Sequence, residues 1–306
     1  MKAFDVVGLG LSTTDFLLRV PKISEVPRGG FLLDFDKQGG GPVATAMVTL
    51  ARLGAKTGII TKIGDDEYGK FIISEFKKEG VDTSRIIVEK GGKGPVIFCL
   101  VENITGERVF LGYAKLSELK PKEVDFEYIK QARILHIDGM SLKAAEKAAE
   151  IARENDILVS FDMGMWRPDF LGLIRKTDIL IPSKQAAIAV TGERDPVKMV
   201  EKLKSLGPRI VAVTLGEEGS ICIDENGEPI YKKAFKVPVV DTTGAGDVYH
   251  GAFLFGILKN WELEKIVEFA NAVAAIKCKK LGGRTGIPTF LQAKTFLERE
   301  LGKLNK

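Results

Sequence analysis

The stretch "VDTTGAGD" (Val240–Asp247), followed at once by an apolar run from Val248, decides how the rest of this sequence is read. Gly244 and Gly246 flank Ala245, and glycine takes left-handed backbone angles freely and lets the main chain come close to a ligand. The apolar residues 232–240 upstream predict a strand, and residues 248–258 downstream predict a helix that opens near Asp247. Amides of the turn therefore gather at a helix N-terminus, where unpaired N–H groups and the helix dipole favour phosphate. An aspartate there would repel the phosphate, so a plain anion cradle does not explain it. Two uses do: a helix N-cap, for which Asp is a favoured residue, or a base that takes the proton of a hydroxyl attacking a phosphoryl group held by those amides.

Working outward, two further glycine clusters open turns. "QGGGPVATA" (38–46) precedes a helix, and "VTLGEEGS" (213–220) follows a strand, the kind of place where an open α/β sheet receives a nucleotide. A simple hairpin explains the second equally well when it is taken alone. Three clusters far apart in sequence point together to one ligand cleft. Neither GxGxxG nor GxxxxGK[ST] occurs, which disfavours a dinucleotide fold and a Walker P-loop.

Apolar, β-branched runs at 4–10, 56–64, 132–139, 156–162, 178–183 and 209–216 predict buried strands. Helical spacing at 43–53, 67–79, 142–154, 197–206 and 262–280 lies between or after them. Strand alternating with helix predicts an α/β fold with a mostly parallel sheet covered on both faces. Residues 15–38 and 95–113 break that rhythm with alternating patterns, and "NITGE" (103–107) predicts a turn between two strands. Such antiparallel insertions form a lid or an oligomer surface. With no repeat and no low-complexity linker, residues 1–306 read as a single domain carrying two lid insertions.

Composition narrows the function. With 306 residues and 45% hydrophobic content the chain can bury a large core. A net charge of +4, spread over helix faces where Lys and Glu alternate, does not make the basic stripe that nucleic acid needs. The sequence shows neither a secretory leader nor an apolar run long enough for a bilayer, so a cytoplasmic protein with no membrane partner is expected. Cys99, Cys222 and Cys278 stand alone in apolar segments and read as buried reduced thiols. The two histidines, His136 and His250, suggest no metal centre.

On these residues the chain resembles the PfkB, or ribokinase-like, family of carbohydrate kinases along nearly its full length. The resemblance rests on "DTTGAGDVYHGAF" (241–253), on "GGGPVATAMVTLARLGAKTGIITKIGDDEYG" (39–69) and on the opening "GLGLSTTDFLLRVP" (8–21). It implies a three-layer α/β/α fold with a β-sheet lid, ATP and Mg²⁺ as cosubstrate and cofactor, and transfer of the γ-phosphoryl group to a sugar hydroxyl. Position by position, it implies Asp247 as base, Gly244, Ala245 and Gly246 as the anion hole, and Asp15, Gly39 and Gly40 as sugar contacts. Thr214, Gly216 and Gly219 match the nucleotide loop, and Asn271 and Cys278 fall beside the adenine pocket. Some relatives hold a monovalent cation such as K⁺ near Asp241, Thr243 and the segment after residue 280. Relatives also dimerise through the lid strands.

The departures bear on substrate and metal. Ala44 stands where the family commonly has a sugar-binding Asn, and Ser183 and Ala186 replace the Asn and Glu of an Asn-x-x-Glu motif tied to Mg²⁺. The combination of "GGGPVATA" (39–46), "SKQAA" (183–187) and "KCKKLGGRTGIP" (277–288) resembles the ketohexokinase and sulfofructose-kinase-like branch, which implies a ketose or polyol phosphorylated on a primary hydroxyl. Further candidates for the cleft are Asp138, Asp162, Trp166 and Arg167, with Arg19, Arg28 and Lys37 as possible partners for an anionic substituent. His136 reads as a core histidine. The alternatives are a nucleoside or sugar-phosphate kinase of the same fold, and a sensor that binds sugar or nucleotide without turnover.

Overall fold

The computed structural model describes residues 2–104 and 107–304. Its first half runs β1 (Phe4–Leu9), β2 (Thr13–Val20), β3 (Asp34–Gly40), α1 (Pro42–Leu53), β4 (Thr57–Gly64), α2 (Glu67–Lys78) and β5 (Asp82–Glu89). Next come β6 (Lys93–Glu102), β7 (Arg108–Lys115), α3 (Phe126–Ile129), β8 (Ala132–Ile137), α4 (Leu142–Glu154), β9 (Leu158–Met163) and α5 (Leu171–Ile174). The remainder is β10 (Ile179–Pro182), α6 (Lys184–Thr191), α7 (Pro196–Lys204), β11 (Ile210–Thr214), β12 (Ser220–Ile223), β13 (Ile230–Lys232), α8 (Ala245–Leu258), α9 (Leu263–Lys277) and α10 (Phe290–Leu304).

The large sheet has the order β13-β12-β11-β10-β9-β8-β1-β4-β5. Pairing is parallel from β11 through β5, and β12 and β13 add an antiparallel edge. Side chains alternate across each strand, so successive residues of β1 serve different cores. Val7 and Leu9 join the cluster containing the Ala144, Ala145, Ala148 and Ala149 stripe of α4, while Val6 joins the one containing α1, α8 and α9. That is the α/β/α layering expected from the alternation of strands and helices.

A second sheet, in the order β3-β2-β6-β7, forms the lid from the two stretches that break the sequence rhythm. β2 pairs antiparallel with β3 and β6 antiparallel with β7, while β2 and β6 join the two ribbons in parallel. Of the predicted turn 103–107, Thr105 and Gly106 lie outside the described residues. All three cysteines are buried and unpaired. Among the described residues no helix is long and apolar enough to cross a membrane.

Two predicted boundaries need correction. Residues 232–240 do not form a strand: regular pairing stops at Lys232, and the segment continues as an irregular strap containing Pro238, which has no N–H for a ladder. The following helix starts at Ala245, two residues before Asp247, because Gly244 takes a left-handed φ of 71° and acts as its N-cap.

Glycine at 251 sets where α8 lies. A Cβ there would sit 2.7 Å from the Ala46 carbonyl and 2.7 Å from the Thr49 side chain of α1. The helix carrying Asp247 can therefore lie directly on the helix that follows Gly39 and Gly40.

Candidate active site

The order of the large sheet reverses at β1 and β8, and ligands of open α/β sheets bind beyond the strand ends at such a switch point. Gly10 follows β1 and Asp138 follows β8. A Cβ on Gly10 would meet the Asp138 carboxylate at 2.3 Å, so the glycine makes room for the acid. Asp138 accepts hydrogen bonds from Leu11 N at 2.8 Å and Met140 N at 3.0 Å. Burial nevertheless pushes its carboxyl up to about 6.

Asp15 enters from β2 of the lid and packs on Gly40, where a Cβ would come within 1.9 Å of Oδ2. Its Oδ1 accepts from Thr13 Oγ1 at 2.5 Å, and burial raises its pKa. Gly39 plays the same part for Arg284, whose Nη1 would lie 2.1 Å from a Cβ. Arg284 is buried, donates through Nη2 to Gly40 O at 2.9 Å, and its backbone N donates to Gln38 Oε1 at 2.7 Å. It ties the late loop to the lid hinge, a role the sequence reading missed. The available signal was an arginine inside the glycine-rich "LGGRTG".

Asp247 is the third residue of α8, not its cap, and no side-chain hydrogen bond fixes the N-cap position. Ala245 N donates to Thr242 O at 3.1 Å, while the amides of Gly246 and Asp247 have no backbone partner among the described residues. Nothing lies within 4 Å of a Cβ built on Gly246, so that stretch of main chain is open to a ligand. The Asp247 carboxyl is half-buried and pushed up to about 6, first by burial and then by the neighbouring charge of Asp15. Lys277 and Arg284 pull it back down. An aspartate tuned this way can accept a proton near neutral pH.

Behind these residues lies a cluster the sequence reading did not assemble. His136 on β8, Asp162 on β9 and His250 on α8 are buried, with ligand-type atoms within 4.8 Å of one another. His136 Nδ1 lies 3.1 Å from Ser160 Oγ. Burial lowers both histidines, His136 to about 3, and raises Asp162, which also feels the Asp247 charge. His136 is thus the core histidine expected, held by Ser160, and His250 is a second buried histidine, set against Asp162.

A cleft of about 850 Å³ brings together Gly216, Asn271 and Cys278, three of the residues expected on the nucleotide side, and is also lined by Ala245 and Arg108. Arg108 reaches it from β7 of the lid and was not singled out from sequence. Asn271 is committed elsewhere as well: Oδ1 accepts from Ser220 Oγ at 3.0 Å, and Nδ2 donates to Lys232 O at 3.1 Å, holding the strap against α9. Thr214 ends β11 and bridges to Ser183. Gly219 turns away, since a Cβ would sit 2.1 Å from Lys232 O. The "GEEG" turn links antiparallel β11 and β12, as a hairpin does, and its Gly216 and Glu217 also line the cleft.

Other candidates fall outside this arrangement. Arg167 pairs with Asp169 at 2.5 Å. Lys37 stands on the face of the lid opposite Asp15, 4.3 Å from the Phe71 ring centroid, as the strand alternation requires. Arg19 shares the Asp15 face. Nothing is described of the Arg28 side chain. Ser183 Oγ caps α6 by accepting from Ala186 N at 3.2 Å and donates to Gly164 O at 3.0 Å.

Comparison with known proteins gives a consistent picture. A family model described as "pfkB family carbohydrate kinase" matches residues 4–290. The chain is 30% identical to a 5-dehydro-2-deoxygluconokinase of Clostridium botulinum (strain Alaska E43 / Type E3), covering 98% of this chain and 94% of that protein. It is similar to the solved structure of a ribokinase from Thermotoga maritima, with a TM-score of 0.83, 27% identity, and 96% and 99% of the two chains covered. An Arabidopsis thaliana ribokinase complexed with ribose and ATP shares the fold, with a TM-score of 0.84, 22% identity, and 97% and 99% covered.

Proposed function

We propose, for a chain that belongs to the pfkB family of carbohydrate kinases, that Asp247 is the base of an ATP-dependent phosphoryl transfer to a hydroxyl of a small ketose, keto sugar acid or polyol. One observation carries the reading: a carboxyl raised to about 6 stands at the open N-terminus of α8, two residues beyond Ala245 of the cleft and close enough to Asp15 of the lid to feel its charge. The acceptor hydroxyl gives its proton to Asp247, its oxygen bonds to the γ-phosphorus, and the bond to the β–γ bridging oxygen breaks to release ADP. The open amides of Gly246 and Asp247, with Arg108 from the lid, face the charge that develops on the phosphoryl oxygens.

Asp15 and Asp138, both acceptors, suit the hydroxyls of a sugar. The ketose preference draws on the likeness of "GGGPVATA", "SKQAA" and "KCKKLGGRTGIP" to the ketohexokinase and sulfofructose-kinase-like branch, and the acid variant on the name of the Clostridium relative. Mg²⁺, entering with the nucleotide, supplies positive charge; Ser183 is occupied as a helix cap and Ala186 offers no carboxylate, so phosphate oxygens and water would hold the ion. A cytoplasmic setting follows from the need for ATP. The exposed Phe35, Phe98, Leu111 and Tyr113 of the lid suit a homodimer, which light scattering on wild type and Leu111→Lys would test.

The test is ATP consumption coupled to product mass across ketoses, 5-dehydro-2-deoxygluconate, aldoses, polyols, sugar phosphates and nucleosides, for wild type and Asp247→Asn. Turnover should fall by about 10²–10⁴-fold in the variant, the range for a general base, while ATP still binds. A variant as active as wild type overturns the assignment. ATP binding with no phosphorylated acceptor supports the sensor reading instead.

A further inference from the structure

Lys277, at the end of α9, is fully buried. Lysines are almost never fully buried unless a charge partner compensates, yet among the described residues no carboxylate lies within ion-pair distance of its amine. Its hydrogen bond goes to a backbone carbonyl, Asp241 O, at 2.9 Å. The Asp241 carboxylate is itself taken up by the surrounding chain: Oδ1 accepts from Thr243 N at 2.8 Å and Thr243 Oγ1 at 2.7 Å, and Oδ2 accepts from Gly282 N at 2.7 Å. Burial lowers the pKa of this amine and the nearby Asp241 carboxylate pulls it up again, within an enclosure made by the "VDTT" turn and the loop after residue 280.

That turn and that loop are the segments through which some relatives hold a monovalent cation, and the residues here do not fit such an ion. The loop closes tightly over α9: a Cβ on Gly286 would lie 2.3 Å from Lys277 O, and one on Gly244 would lie 2.8 Å from Gly283 Cα. The amine already supplies one positive charge to the turn that leads into α8, and it is close enough to Asp247 to lower that carboxyl's pKa. Ammonium is a compact point charge, so a tethered one can do electrostatically what a bound alkali ion would do.

We propose that the Lys277 ammonium is a built-in monovalent cation, which fixes the Asp241–Thr243 turn behind the anion hole and makes the kinase independent of added K⁺. Lys277 is then a positioning residue, and the proposal rests on the kinase reading above.

Two measurements test it. Wild type is assayed in potassium, sodium and choline chloride at equal ionic strength, with binding of a non-hydrolysable ATP analogue followed by calorimetry in the same salts. Rate and affinity should agree within about twofold across the salts. The binding arm stands even if no acceptor has been found, which separates failure of this proposal from failure of the kinase reading. Lys277→Gly should lose tenfold or more in turnover or analogue affinity and regain a substantial part with K⁺ or methylammonium, a rescue that a merely structural lysine would not show. Stimulation of wild type fivefold or more by K⁺ overturns the proposal, as does anomalous scattering from rubidium bound at Asp241 and Thr243 beside an intact Lys277. If Lys277→Gly fails to fold, the wild-type salt series alone decides.

Discussion

His250 Nε2 lies 3.4 Å from Asp162 Oδ1, and both side chains are buried at the base of the site. Burial drives Asp162 toward its protonated form and His250 toward its neutral form. Both shifts favour a neutral contact of acid with imidazole over an ion pair. Asp162 Oδ2 and His250 Nδ1 have no hydrogen-bond partner among the described residues.

Asparagine mimics a protonated aspartate, so Asp162→Asn should fold with near wild-type stability at pH 7. Asp162→Ala strips His250 of its contact and should cost about 1–3 kcal/mol, the usual penalty for stranding a buried polar group. Urea unfolding of the two variants checks this; equal losses would mean that the pair is ionised in the folded protein.

Asp247 gives a signed pH prediction. Its pKa rises from the ordinary 3.8 to about 6 on folding, so the folded state holds the proton more tightly than the unfolded one. The associated stability is complete below pH 4 and is lost as pH climbs through 6. Asp247→Asn should accordingly be more stable than wild type at pH 8, by on the order of 1–3 kcal/mol, with the gap closing toward pH 4. Melting curves at the two pH values would show it.

For activity the sign is opposite, because a base works only when deprotonated. kcat/KM should fall on the acid side with a midpoint near 6. Asp15→Asn removes one cause of the elevation and should move that midpoint lower, apart from any effect on KM. A pH–rate profile with the midpoint unchanged would remove Asp15 as a determinant of the base.

Arg108 reaches from the lid into the cleft lined by Gly216, Ala245 and Asn271. Arg108→Met should lower kcat by roughly 10–10³-fold, as expected for loss of a charge facing a phosphoryl transition state, with a smaller effect on ATP affinity. Single-turnover kinetics separate the two; a loss confined to affinity would make Arg108 a ground-state contact.

Gly251 holds α8 against α1. Gly251→Val has no room beside Ala46 O and Thr49, and should destabilise the protein by about 1–3 kcal/mol or more through overpacking. Denaturant unfolding reads the effect, and an unchanged midpoint would mean that the two helices can separate without cost.

Much of this was legible in the linear chain because it depends on neighbours in sequence. Strand and helix periods predicted the parallel sheet and its two covered faces, and the alternating stretches predicted the two insertions that form the lid. The turn at Gly244–Asp247 carried its own chemistry, since glycine geometry and helix polarity are local. The same local reasoning misjudged residues 232–240: an apolar run looks like a strand, but a ladder needs a neighbouring strand, and among the described residues none pairs with the strap beyond Lys232.

What the sequence alone determined was the kind of fold and the position of an aspartate at a glycine-lined helix start, because backbone conformation and hydrophobic period are written residue by residue. Only the tertiary structure decided that Asp247 is not a cap, that Asp15 and Asp138 stand on glycines beside it, that Asp162 rests against His250, and that Lys277 lies buried beneath the turn. Each of these is a contact between residues distant in the chain. Their charges interact because folding brings them together and excludes the water that would otherwise screen them.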